Sequence, residues 1–151
     1  MIKKVLSTLL ILAFTVFHTA PVQAERSKTF GNYIVHYNAL GTDFLKPNTA
    51  KQYNIKRSKN RGMVTISIQE KAEAGKAMGK AVTAKVAGFA KNLNGQTRNF
   101  DFKLIKEGTA IYYIDDFSVT NQEVVDFVLT IQPDGQNNSY SLKFRQQFFT
   151  Q

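Results

Sequence analysis

The residues of this sequence best suited to bind a ligand lie in one short basic segment, Arg57-Ser58-Lys59-Asn60-Arg61-Gly62. In an extended segment Arg57, Lys59 and Arg61 project to the same side, because alternate residues share a face. The planar guanidinium of arginine binds a carboxylate or a phosphate through two hydrogen bonds. A turn at Asn60 can also expose main-chain N–H groups to an anion. The segment therefore predicts an anion-binding or peptide-binding surface.

The same basic segment has a second, structural interpretation. One or both arginines would then bind internal acids such as Asp43 or Asp115, and would fix the long stretch 44–56 to the rest of the fold. A buried charge needs such a partner. The residue types and their spacing fit both interpretations.

Aromatic and imidazole side chains extend the predicted binding surface to His36, Tyr37 and Tyr53. Aromatic platforms can bind sugars or peptides, although Phe and Tyr in strands usually pack in the core. A larger tyrosine set is open to both interpretations, platform or core. It consists of Tyr33, Tyr37, Tyr53, Tyr112 and Tyr113.

Groups suited to catalysis are few. Beyond residue 24, His36 is the one histidine, and no nucleophile-elbow motif accompanies it. Without cysteine, disulfides, thiolate nucleophiles and cysteine-based metal sites are excluded. The adjacent Asp115 and Asp116 would point to opposite faces of a strand. We expect no enzyme, no cofactor and no metal site; the alternative is a small hydrolase or lyase that uses His36 with a carboxylate.

The N-terminus predicts export. Lys3-Lys4 precedes an apolar run over residues 5–17, and Val22-Gln23-Ala24 places small residues at a signal peptidase site. This is the pattern of a secretory signal peptide rather than of a membrane span, which needs roughly 20 apolar residues. We therefore expect cleavage after Ala24, a periplasmic location, no integral membrane span after cleavage, and a single domain of residues 25–151.

The charge balance favours anionic partners. Without Lys3 and Lys4 the chain keeps 18 cationic and 11 acidic side chains, a net charge of +7. In a bacterial envelope the matching partners are acidic proteins or anionic components such as lipid headgroups and lipopolysaccharide phosphates. Nucleic acid is not expected as a partner in that compartment. The lysines can also serve solubility alone.

Alternating apolar and polar residues predict an all-β fold, most clearly from Met63 to Lys71. Asn94-Gly95 predicts a hairpin with a type I′ turn. A short helical insert is expected near residues 47–54, because Pro47 suits the first turn of a helix. The sequence thus predicts an antiparallel, immunoglobulin-like β-sandwich of about seven strands. The predicted strands are 29–40, 63–71, 82–88, 100–104, 110–119, 125–131 and 140–149.

The C-terminal residues Gln146-Gln147-Phe148-Phe149 leave a further function open. In an edge strand they can pair with another chain by strand addition. In a central strand they would be buried on both faces. The alternative to a binding module is therefore a structural subunit, or a homodimer, that pairs through this edge.

Several motifs together resemble a known family. They are Phe30-Gly31, Tyr33, Val35-His36-Tyr37, Ala39-Leu40, Phe44-Leu45, Pro47, the basic segment 57–62, Asn92-Leu93, Gly95-Gln96, Ile111-Tyr112-Tyr113 and Gln146 to Thr150. The combination covers almost all of residues 25–151 and is similar to the family of small exported bacterial proteins called domain of unknown function 4426. The resemblance implies export and a β-sandwich-like fold, and it implies no activity, substrate or catalytic residue. We therefore expect a non-catalytic periplasmic binding module that uses its basic turn and nearby aromatic residues.

Overall fold

Two stacked β-sheets form the fold in the computed structural model, which describes residues 26–151. The strands are β1 Arg26–Phe30, β2 Tyr33–Gly41, β3 Arg61–Glu70, β4 Ala84–Asn92, β5 Thr97–Asn99, β6 Lys103–Glu107, β7 Ala110–Ser118, β8 Glu123–Pro133 and β9 Tyr140–Phe148. A 3-10 turn, Thr42–Phe44, and one helix, α1 Pro47–Gln52, lie between β2 and β3. The predicted signal peptide at residues 1–24 lies outside the described residues.

All strand pairs in this part of the chain are antiparallel. One sheet has the order β1-β2-β3-β7-β6, and the other has the order β5-β4-β8-β9. The facing sides of the two sheets supply the main core, in which Ile66, Phe127 and Leu142 have no solvent exposure. Alternate residues of each strand point into this core, as sheet-on-sheet packing requires. The predicted antiparallel β-sandwich is confirmed.

The described residues hold nine strands rather than about seven, because the strand predicted at 29–40 is two strands and the one predicted at 100–104 covers the crossover between β5 and β6. The stretch predicted as one strand from Thr29 is a hairpin, because Gly31, at φ +54°, turns the chain between β1 and β2. After β5 the chain crosses from one sheet to the other, and Phe100 and Phe102 pack against the core on the way. A crossover that buries alternate aromatic residues has the same sequence pattern as a strand.

The hairpin predicted at Asn94-Gly95 forms between β4 and β5, but its turn differs from the expected type I′. Gly95 has a φ of +82°, whereas Asn94 does not have a positive φ. The Gly95 N–H donates to the Asn92 carbonyl at 3.0 Å. This geometry fits a type I turn followed by a left-handed glycine, which is the common form of a three-residue hairpin loop.

The predicted helical insert is confirmed as α1, which begins at Pro47. Proline suits this position because its fixed φ matches the helix and its missing N–H would be unpaired there in any case. The insert lies on the outer face of the five-stranded sheet, where Ala50 and Ile55 form a second apolar cluster with Met63 and Ile114. The sandwich thus carries a small additional layer on one side.

Candidate functional site

The basic segment forms a tight turn before β3, and both of its arginines contact other parts of the chain. The Arg57 guanidinium donates a hydrogen bond to the main-chain oxygen of Asp43 at 2.8 Å. The Arg61 guanidinium forms an ion pair with Asp116, and its Nε lies 2.7 Å from the carboxylate. The structural interpretation therefore accounts for these contacts. The acid that pairs with Arg61 is Asp116, however, and not Asp43 or Asp115.

Strand geometry explains why Asp116 is the partner. The antiparallel register of β3 and β7 places Arg61 and Asp116 on the same, outer face of the sheet. Asp115 points inward, is only 7% exposed, and accepts a hydrogen bond from the Asp101 N–H at 2.9 Å. Its nearest cation is Arg98, at 3.5 Å. The opposite orientation expected for the two adjacent acids is therefore observed.

A buried threonine that sequence analysis does not single out closes the base of the insert. Thr42 has no solvent exposure. Its hydroxyl lies 2.8 Å from the carbonyl oxygen of Lys56 and accepts a hydrogen bond from the Ser58 N–H at 2.9 Å. These contacts join the two ends of the stretch 42–58. No sequence signal marks this role, because the partners are main-chain groups that every position offers.

The other predicted site residues do not lie on one common surface. His36 and Tyr37 are neighbours on β2 and therefore face opposite sides of the sheet. Tyr37 faces the core, where its ring centroid lies 4.6 Å from that of Phe144. Tyr53 follows α1 and packs on the outer layer, while Lys59 is exposed in the basic turn. Sequence spacing alone does not distinguish these locations.

Lys59 lines a groove at one end of the sandwich together with two exposed phenylalanines. Phe44 and Phe149 expose 76% and 63% of their surface. The walls of the groove are the end of β2, the 3-10 turn and the end of β9. The groove has a volume of about 210 Å³. We call it the Phe44–Phe149 groove.

An open strand edge and a positive charge adjoin the Phe44–Phe149 groove. β1 pairs with β2 only as far as Tyr37, so residues 38–41 have no strand on that side within the described part of the chain. The insert, residues 42–60, carries five cations and one acid, Asp43. The cations are Lys46, Lys51, Lys56, Arg57 and Lys59. Within residues 26–151 the groove therefore combines apolar rings, main chain without a strand partner on one side, and a positive potential.

The last strand, β9, lies at the edge of the four-stranded sheet. Its carbonyl oxygens are partly covered by side-chain donors. Arg26 donates to the carbonyl of Arg145 at 3.2 Å, and the Gln146 amide donates to the carbonyl of Gln147 at 2.8 Å. Carbonyls of alternate residues point to the same side of a strand, so these donors shield one edge. Edge strands are commonly protected in this way against pairing with another chain.

A second cleft lies where α1 meets the edge strand β6. It has a volume of about 280 Å³ and is lined by Thr49, Gln52, Tyr53, Thr65, Glu107, Tyr112 and Ile114. We call it the Tyr53–Tyr112 cleft. Of the tyrosine set, Tyr53 and Tyr112 are half-buried in this cleft, whereas Tyr33 and Tyr113 are buried between the sheets. The set therefore contains both partly exposed residues of a cleft and core residues.

Glu107 organises the polar side of the Tyr53–Tyr112 cleft. The Gln52 side-chain amide donates to its carboxylate at 3.0 Å. The Tyr53 hydroxyl donates to the same carboxylate, and this hydrogen bond raises the pKa of Tyr53 to about 12. Ionisation of Tyr53 would remove the proton that it shares with Glu107 and would place two negative charges side by side.

Residues 26–151 contain neither a cluster of metal-ligating side chains nor a membrane-spanning helix. No group of three or more His, Cys, Asp or Glu side chains in this range is placed to hold a metal ion. No helix in the same range is long and apolar enough to cross a membrane. His36 lies mid-strand, opposite Ser27 of β1 and Ser67 of β3.

Comparison with known proteins gives one family match and several similar structures. The profile of the family described as Domain of unknown function (DUF4426) matches residues 27–151. A DUF4426 family protein from Pseudomonas aeruginosa PAO1 is 30% identical, with a TM-score of 0.70, over 85% of this chain and 97% of that chain. No curated protein matches.

More distant structures share the fold. FetP from uropathogenic Escherichia coli, expressed in the periplasm, is 9% identical, with a TM-score of 0.58, over 83% of this chain and 93% of that chain. A copper-bound variant of P19 from Campylobacter jejuni is 8% identical, with a TM-score of 0.55, over 83% and 94%. At 9% and 8% identity, neither similarity assigns a copper site to this chain. These structural similarities therefore show only that the β-sandwich fold is shared.

Proposed function

The chain belongs to the DUF4426 family, as its motifs had indicated, and we propose that it is a non-catalytic periplasmic binding module for an extended, acidic segment of another envelope protein. The site is the Phe44–Phe149 groove. One observation carries the proposal: two phenylalanine side chains, 76% and 63% exposed, lie beside a single groove. Single exposed apolar residues need no explanation, but aromatic residues grouped at a groove are typical of interaction sites.

The edge of β2 at residues 38–41, where no strand from residues 26–151 pairs, supports an extended occupant. A peptide that pairs with residues 38–41 would follow the line of β1, which ends its pairing at Tyr37. Its main chain would bond to β2, and alternate side chains would face the groove. Phe44 and Phe149 would then cover the groove-facing side chains and remove their own apolar surface from water.

The charge around the groove supports an acidic occupant. Lys59 lines the groove, and the insert behind it carries five cations against one acid. A positive potential of this kind attracts anionic partners and accelerates their association, with a strong dependence on salt. Arg57 and Arg61 contribute to the potential, but their hydrogen bonds are made within the chain. Lys59 is therefore the member of the predicted surface that contacts the partner.

Two further features bear on this proposal. The signal-peptide pattern of residues 1–24 supports a periplasmic location. The covered carbonyls of β9 at Arg145 and Gln147 give the strand-edge homodimer less support than the groove has. For the same reason we place the partner at the β2 edge and not at β9.

Photo-crosslinking in cells tests the groove directly. Benzoylphenylalanine replaces Phe44 or Phe149, and replaces Leu93 as a control, because Leu93 is 70% exposed but lies outside the groove. We expect adducts with the same acidic protein at Phe44 and Phe149 and none at Leu93. Lys59→Glu should weaken both adducts, because it reverses the charge that faces the partner.

Three results would contradict the proposal. They are equal adducts at all three positions, a partner with a positive net charge, and adducts that Lys59→Glu leaves unchanged. Adducts between two copies of this chain would also exclude an acidic foreign partner, since the chain carries a net positive charge. That last result would favour the homodimer.

A further inference from the structure

The Tyr53–Tyr112 cleft takes no part in the function proposed above, yet it combines two aromatic rings with a fixed carboxylate. Glu107 is exposed on the edge strand β6. Its carboxylate accepts hydrogen bonds from the Gln52 amide, at 3.0 Å, and from the Tyr53 hydroxyl. Both donors lie at the C-terminal end of α1, so the helix and the sheet edge are joined across the cleft. The polar side of the cleft is therefore preorganised.

The Glu107 carboxylate keeps the capacity to bind a further donor. None of the ion pairs found within residues 26–151 involves Glu107. An ionised carboxylate offers about four lone-pair sites, and the two internal hydrogen bonds leave part of this capacity unused. Thr49 and Thr65 add hydroxyl groups to the lining, and each hydroxyl can both donate and accept.

We propose that the Tyr53–Tyr112 cleft binds one neutral sugar unit. The two tyrosine rings would pack against the C–H groups of the sugar ring. Glu107, Gln52 and the threonine hydroxyls would exchange hydrogen bonds with the sugar hydroxyls, each of which is a donor and an acceptor. The cleft volume of about 280 Å³ lies just below the roughly 300 Å³ at which sites for drug-sized ligands begin. The cleft therefore fits one sugar unit rather than a long chain.

Charge favours a neutral ligand over an ionic one. An anion would be repelled by Glu107 at close range. A cation would be attracted to Glu107 but would meet the field of a domain with 18 cations, Lys51 on α1 and Lys103 on β6 among them, and 11 acids. A neutral polyol is not affected by this net field, and it uses the donors and acceptors of the cleft together.

An NMR titration of the purified protein with glucose, galactose, mannose and N-acetylglucosamine tests the proposal. We expect at least one of these sugars to shift the main-chain amide signals of Gln52, Tyr53 and Tyr112 in a saturable manner. Glu107→Gln keeps the side-chain shape and removes the charge, so it should weaken this binding about tenfold. Glu73→Gln is the matched control, since it removes an exposed carboxylate outside the cleft and should leave the affinity unchanged.

Several outcomes would overturn the proposal. They are no saturable shift with any of the four sugars, shifts confined to other parts of the protein, and sugar binding that Glu107→Gln does not weaken. Putrescine serves as the cationic probe, and shifts at Tyr53 and Tyr112 with putrescine but with no sugar would identify an amine site instead. Phe44→Ser should bind the sugar as the unchanged protein does. A failure of sugar binding at the Tyr53–Tyr112 cleft is therefore distinguishable from a failure of peptide binding at the Phe44–Phe149 groove.

Discussion

The base of the insert and the groove beside it use neighbouring residues in opposite ways. At the base, Thr42, Arg57 and Arg61 direct their polar atoms to partners within the chain. In the groove, Phe44 and Lys59 face solvent. Three alternate cations in one basic segment therefore differ in their contacts, because both arginines reach an acceptor in the fold and the lysine between them forms none of the ion pairs found in residues 26–151.

Positive charge alone therefore does not identify a binding residue. A guanidinium that turned the N–H groups already held by the chain toward a ligand would leave its internal acceptor without those hydrogen bonds. An exposed aromatic ring has no such cost, and covering it yields about 25 cal/mol for each Å² removed from water. The internal partner and the exposure of each side chain therefore decide which of the neighbouring residues is available.

The largest expected effect is at the buried base. Thr42→Val keeps the side-chain shape but leaves the Ser58 N–H and the Lys56 carbonyl without their hydroxyl partner. Each buried polar group left unsatisfied costs about 1–3 kcal/mol, so we expect the free energy of unfolding to fall by roughly 3 kcal/mol. Urea unfolding measures this loss. Thr97→Val, at an exposed position of β5, is the control. An equal loss of stability in both variants would show that the Thr42 hydroxyl does not stabilise the base of the insert more than an exposed threonine stabilises its strand.

Smaller losses in the free energy of unfolding are expected for the basic segment, in the order Arg61, Arg57, Lys59. Arg61→Ala leaves the Asp116 carboxylate, whose side chain is 17% exposed, without its charged partner. We expect a loss of about 2 kcal/mol, because the pair is only partly buried. Arg57→Ala should cost about 1 kcal/mol, since it removes one hydrogen bond to a main-chain oxygen, and Lys59→Ala should cost less than about 0.5 kcal/mol. Thermal unfolding of the three variants tests this order, and a loss in Lys59→Ala as large as in Arg61→Ala would contradict it.

The sequence predicts the sandwich well because strand alternation is a local property. The pattern from Met63 to Lys71 falls within one residue of the end of β3, and Pro47 marks the start of α1. The partner of Arg61 is not predictable in the same way. Asp115 and Asp116 are adjacent in sequence and differ only in the face they occupy, and the register between β3 and β7 decides that face. Register across a long loop is a property of the assembled sheet.

The two candidate sites show the same limit. Phe44 and Phe149 lie near opposite ends of the sandwich sequence and meet only because the end of β2 lies beside the end of β9. Aromatic residues next to strands are usually core, so their type gives no indication of exposure. Tyr53 and Tyr112 likewise meet only because α1 packs across the outer face of the five-stranded sheet. The residue types could be read from the sequence, but their proximity could not.

The smallest expected change in stability is at the groove, where the effect on binding should be largest. Phe44→Ser and Phe149→Ser should each change the free energy of unfolding by less than about 0.5 kcal/mol, because both rings are already exposed in the folded chain. Each variant should nevertheless abolish the adduct formed by benzoylphenylalanine at the other position, since the two rings are proposed to hold the same segment. Leu93→Ser removes an equally exposed side chain and should leave both adducts intact. If Phe44→Ser cost as much stability as Arg61→Ala, the ring would be part of the closed base rather than of an open groove, and the two regions would no longer differ.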